Sequence, residues 1–157
     1  MASTVVRVVL GGVNLVAGAV VVFLAIEAMV ELATVFDTLG DSTAGVTPAE
    51  YVGASLFAAA AMTWALATLA TAGGWFTGVF SRGLMRGLSL TGIVAAAAST
   101  AGSLLAGTPP GDVVFLGIGF GVLATPLAVN LFVVRSAGGR SSGVESGLFA
   151  RSGPRGR

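Results

Sequence analysis

The sequence predicts an all-α fold: a polytopic integral membrane protein, a bundle of four transmembrane helices with both termini on the cytoplasmic side. Three observations carry this. Of the 157 residues, 55% are hydrophobic and only 10% charged, where a soluble domain carries roughly a quarter charged residues. Four stretches hold no charge at all, 8–26, 51–81, 87–111 and 113–134, with lengths of 19, 31, 25 and 22 residues. Each is long enough to cross a hydrocarbon core of about 30 Å as a helix. The charges that remain are sorted by sign along the chain.

Helices are expected near 6–30, 50–72, 84–106 and 112–135, forming a transmembrane domain over residues 1–135. The runs are rich in Ala, Leu and Val without the period-two alternation of a membrane barrel strand. The first run follows Arg7 and contains Ala17-Gly18-Ala19, superficially like a signal peptide. It continues unbroken through Ile26, so it reads as a retained span. Beyond Ile26 the pattern stays helical and apolar on one side, so this helix is expected to run past the membrane. Glu27 and Glu31 lie four residues apart and share a face. With Arg7 at the inner boundary, Glu27 falls near the outer interface and Glu31 in water. Slid inward, both would be intramembrane carboxylates and a possible ion or proton site.

The second helix has a start signal. Thr47-Pro48-Ala49-Glu50 reads as a capping box, with Thr47 as N-cap, proline at the first helical position and glutamate at the third. Thr108-Pro109-Pro110-Gly111-Asp112 is expected to play a similar part before the fourth helix. Trp75, Phe76 and Phe80, just ahead of Arg82, read as an interfacial aromatic anchor.

All eight basic residues are arginines. Arg7, Arg82, Arg86, Arg135, Arg140, Arg151, Arg155 and Arg157 fall at the start of helix 1, between helices 2 and 3, or after helix 4. Six of the seven acids (Glu27, Glu31, Asp37, Asp41, Glu50 and Asp112) fall at or beyond the opposite ends. The positive-inside rule then places both termini and the middle loop in the cytoplasm of a cell, or inner, membrane.

Small residues mark the expected packing faces. Ser55, Ala59, Thr63, Ala67 and Thr71 form an i,i+4 stripe on helix 2; Thr91, Ala95, Ser99 and Ser103 form one on helix 3; Gly117 and Gly121 supply a small pair on helix 4. Hydroxyl stripes of this kind also suit the lining of a water or solute path. Asn14 lies seven residues after Arg7 and Asn130 five before Arg135, hence at similar depth. A buried amide is costly without a partner, so a hydrogen bond between helices 1 and 4 is expected. Pro126 should free a carbonyl near Val122, and Thr125 beside it is placed to satisfy that carbonyl.

Residues 136–157 form a basic Ser/Gly-rich cytoplasmic tail with a lone apolar pair. Leu148 and Phe149 are candidate anchors on a partner, with Arg140, Arg151, Arg155 and Arg157 meeting acidic groups or anionic lipid.

Histidine and cysteine number zero, and all basic residues are arginine, so lysine is missing too. This removes thiolate chemistry, His-ligated haem or zinc, disulfide relays and Schiff bases. No catalytic residue, metal or cofactor is assigned to the chain alone. The expected partners are the lipid bilayer and other membrane subunits, with no nucleic acid. The expected role is a non-catalytic accessory subunit of a larger membrane complex. The alternative is a small oligomeric ion or solute transporter or channel using Glu27 or the hydroxyl stripes. The lysine-free, Ala/Gly/Val/Arg-rich usage fits a high-GC prokaryotic source.

Overall fold

A computed structural model describes residues 3–38 and 45–136. Among these, every regular element is an α-helix: α1 Thr4–Thr38, α2 Pro48–Thr77, α3 Arg82–Leu105 and α4 Pro110–Ser136. All four are long and apolar enough to cross a membrane. The tail candidates Arg140, Leu148, Phe149, Arg151, Arg155 and Arg157 lie outside the described residues, as does Asp41.

Helices α1 and α2 run past the ends expected from the sequence. α1 continues eight residues past position 30, ending at Thr38. At 35 residues it is about 52 Å long at 1.5 Å per residue. Phe36 holds its far turns against α2 through an edge-on contact with Tyr51, ring centroids 5.0 Å apart. α2 persists to Thr77 because its stop signal comes only at Gly78, which takes φ 67° and donates its N–H to the Gly74 carbonyl.

The start of α2 follows its motif. Thr47 Oγ1 accepts from the Glu50 N–H at 3.2 Å, and Glu50 Oε2 accepts from the Thr47 N–H at 2.7 Å. The turn before α4 is built differently from the sequence expectation. Gly107 adopts φ 85°, its N–H reaches the Leu104 carbonyl, and the Thr108 N–H reaches Ser103. That is a Schellman closure of α3. α4 begins at Pro110, so its N-cap position is Pro109, which has no side-chain oxygen to offer.

Consecutive helices are antiparallel neighbours, and α1 touches α4 only sparingly. The core holds Val21, Trp64, Ala95, Ala96, Phe120 and Leu127, with Phe120 edge-on to Trp64 at 5.3 Å and stacked on Phe57 at 6.2 Å. The tightest helix crossing is between α2 and α3 at Gly53 and Gly102. A methyl group on Gly102 would lie 2.6 Å from the Phe57 nitrogen and 3.0 Å from the Gly53 carbonyl oxygen. One on Gly53 would run into the backbone of Leu105 and Ala106.

The stripes named from sequence are used unevenly. Ala67, Thr71, Ala95, Ser99 and Ser103 are buried, whereas Ser55 is half-buried and Ala59, Thr63 and Thr91 are exposed. The Thr63 hydroxyl turns back onto the Ala59 carbonyl at 2.8 Å. Gly117 is half-buried, its would-be Cβ 3.5 Å from the Thr100 methyl, and Gly121 is exposed with nothing within 4 Å of its would-be Cβ. The cause is the α2–α3 crossing at Gly53 and Gly102. It turns Trp64, Ala67 and Thr71 inward and leaves the row through Ala59 and Thr63 outside.

Candidate functional site

The described charged groups gather at the two ends of the bundle. One end carries Arg7, Arg82, Arg86 and Arg135; the other carries Glu27, Glu31, Asp37, Glu50 and Asp112. The contacts settle this: Arg7 lies against Gly78 after α2, while Glu31 and Glu50 line one cavity with Thr108.

Two turns in from the arginine end, Asn14 and Asn130 meet. Asn130 Nδ2 donates to Asn14 Oδ1 at 3.0 Å, and Asn14 Nδ2 donates to Asn130 Oδ1 at 3.3 Å. Asn14 Nδ2 also donates to the Leu10 carbonyl at 2.7 Å. A third member comes from α2: the Trp75 indole Nε1 donates to Asn130 Oδ1 at 2.9 Å. Trp75 is 8% exposed, so it is not part of an interfacial anchor as its sequence position suggested; Phe76 and Phe80, by contrast, are exposed. An indole one turn from a helix end looks the same in sequence whether it faces lipid or a buried amide.

Ser89 on α3 completes a layer. Gly92 meets Leu127, so counting three residues from each in opposite senses brings Ser89 level with Asn130. Gly92 also lies by Ala67, which brings Ser89 within a residue of Thr71. Asn14, Thr71, Ser89 and Asn130, one from each helix, are all fully buried. The Thr71 hydroxyl donates to the Ala67 carbonyl at 2.7 Å, while the Ser89 hydroxyl meets no partner among the described residues. Amides, hydroxyls and an indole do not exchange protons near neutral pH. The layer can hold helices in register, and it cannot act as an acid or base.

Arg7 ties α1 to the end of α2. Its Nε and Nη2 donate to the Trp75 and Phe76 carbonyls, each at 3.1 Å. These carbonyls lie in the last turn of α2, where a cation also meets the negative end of the helix dipole. The approach depends on Gly78, since a methyl there would lie 2.7 Å from Arg7 Cζ.

Around Pro126 the hydroxyl chemistry differs from the expectation. Thr125 Oγ1 donates to the Gly121 carbonyl at 2.9 Å rather than to Val122. A threonine on a helix reaches the carbonyl four residues back, and 125 counts back to 121.

At the other end, Glu27 and Glu31 are exposed and border a cleft of about 280 Å³ with Phe57, Ser103, Thr108 and Phe120. A second cavity of about 350 Å³ adjoins it, lined by Glu31, Thr34, Glu50 and Thr108. Glu27 is 20 residues from Arg7 on one continuous helix, a rise of about 30 Å. No group of three or more His, Cys, Asp or Glu is close enough to hold a metal among the described residues. Comparison with family models, curated proteins and solved structures finds no match to this chain.

Proposed function

We propose that the chain is a multi-pass protein of the cell membrane with cytoplasmic termini, acting as a non-catalytic accessory subunit that stabilises partner subunits of a larger complex. The observation that carries the reading is the uneven burial of the four spans. Of the most apolar stretch of each helix, 33, 44 and 39% is buried in α1, α2 and α3, against 11% in α4. α4 therefore offers a long apolar face, with Phe115, Val122 and Phe132 each more than 60% exposed. Gly119 and Gly121, with no atom within 4 Å of a would-be Cβ, leave room for a second helix to approach closely. Asn14, Trp75 and Asn130 bond to one another between helices, while the Thr68, Thr71 and Ser99 hydroxyls turn back onto their own helices, which suits a scaffold better than a reaction centre. Orientation rests on the arginines, since every described one lies at the end where α1 begins and α4 finishes.

Gentle detergent extraction followed by native mass measurement tests this. Co-purification with larger subunits is expected; a homo-oligomer alone would overturn the reading. A second reading, a small oligomeric transporter or channel, is favoured by Glu27 and Glu31 bordering an open cleft. It predicts that Glu27→Gln abolishes proton- or cation-coupled flux in vesicles. Fifteen kilodaltons of bundle encloses little interior, which weighs against it without oligomerisation.

A further inference from the structure

At the arginine end all four helices frame a cavity of about 470 Å³, bordered by Arg7, Arg82, Trp75, Met85, Val133 and Val134. We propose that it binds the headgroup and upper acyl carbons of an anionic phospholipid. The inference rests on the chain spanning a bilayer; it does not depend on the accessory-subunit reading.

Charge is the first argument. Arg7 and Arg82 flank the cavity, with Arg86 one turn further along α3. The described carboxylates, Glu27, Glu31, Asp37, Glu50 and Asp112, lie at the opposite end, so among the described residues no carboxylate answers these guanidiniums. A phosphodiester would supply one, and guanidinium forks match phosphate oxygens in geometry.

Preorganisation is the second. Arg7 is held by the Trp75 and Phe76 carbonyls through Nε and Nη2. An arginine carries five N–H donors, so it keeps donors to offer while its stem is already fixed. Arg82 opens α3 directly after its N-cap, Ser81, whose hydroxyl oxygen accepts from the Leu84 N–H at 3.2 Å.

Shape is the third. The volume exceeds what a bare phosphate fills and falls in the range of amphiphile-sized sites. Its wall is apolar where Met85, Val133 and Val134 meet the Trp75 ring. An anionic head with a hydrocarbon continuation satisfies both halves; a free inorganic anion satisfies only one.

Trp75 is a built-in reporter. The chain has two tryptophans, and Trp64→Phe leaves Trp75 as the single emitter beside the cavity. In bilayers of mixed composition, phosphatidylglycerol brominated on its upper acyl carbons should quench Trp75 at lower mole fraction than equally brominated phosphatidylcholine. Arg82 is exposed and makes no side-chain hydrogen bond among the described residues, so Arg82→Gln leaves the fold intact. It should cut the phosphatidylglycerol preference by about fivefold, while Arg86→Gln, outside the cavity, leaves it within about twofold. Equal quenching by both lipids would overturn the proposal. So would equal losses from Arg82→Gln and Arg86→Gln, which would report surface charge alone. Relief of quenching by millimolar inorganic phosphate would also overturn it, in favour of a soluble anion.

Discussion

Asn14 and Asn130 exchange hydrogen bonds in both directions, at 3.0 and 3.3 Å, across 116 residues of chain. Helices α1 and α4 touch sparingly elsewhere, so this amide pair is the main specific tie between first and last helix. Replacing either residue by leucine strands its partner's polar atoms. Each single change should cost about 1–2 kcal/mol. The double replacement should cost less than the sum by about 0.5–1.5 kcal/mol. Reversible unfolding by dodecyl sulfate in mixed micelles measures this cycle; strict additivity would mean the amides are uncoupled.

The two tryptophans should respond in opposite order to their depth. Trp64 is 1% exposed, but its Nε1 meets no acceptor among the described residues. Trp64→Phe loses ring volume but also removes an N–H that is costly to bury, so its net cost should stay under about 1 kcal/mol. Trp75→Phe removes a 2.9 Å bond to Asn130 and should cost about 1–2 kcal/mol. Melting temperatures in one detergent compare them directly, and the reverse order would refute the assignment of Trp75 to the buried layer.

Glycines at crossings and at open faces should separate cleanly. Gly102→Ala places a methyl 2.6 Å from the Phe57 nitrogen, forcing α2 and α3 apart at a cost of about 2 kcal/mol or more. The Cβ that Gly121→Leu adds meets nothing within 4 Å, so this change should not lower the isolated chain's melting temperature. If the proposed accessory role holds, the same Gly121→Leu chain should fail to co-purify with partner subunits, because the bulk falls on the proposed α4 face.

Gly78→Ala combines a left-handed backbone, φ 67°, with a collision against the Arg7 guanidinium. The backbone alone should cost about 1–2 kcal/mol. Displacement of Arg7 should add to it, so Gly78→Ala should destabilise the chain more than Arg7→Gln does. Thermal unfolding of the two single variants and the double variant tests whether both effects pass through Arg7.

Much of this bundle was legible in the sequence, for reasons specific to membranes. Charge is so costly in hydrocarbon that its omission marks out the spans, and the depth of Asn14 and Asn130 follows by counting from Arg7 and Arg135. Faces were not legible. α2 is a near-continuous run of small residues, so a stripe through Ala59 and Thr63 looks as good as the buried one through Ala60, Trp64, Ala67 and Thr71. The missing signal was the isolated Gly53, whose lack of a side chain fixes which way α2 turns. Helix ends followed local chemistry where it was unambiguous, as at Thr47 and Glu50. At Thr108 a threonine before two prolines fits either a cap for α4 or a closure of α3, and the left-handed Gly107 settles it.

The span of chain between the latched amides sets an order of events during synthesis. Asn14 is made with the first helix, and Trp75 follows it with the second. Their common acceptor, Asn130, is made 116 residues after Asn14 and 55 after Trp75. At about 5–20 residues per second, Asn14 waits roughly 6 to 23 s before Asn130 can meet it. Throughout that interval the Asn14 nitrogen has the Leu10 carbonyl of its own helix, while its Oδ1 waits for Asn130, and only the completed chain supplies that donor.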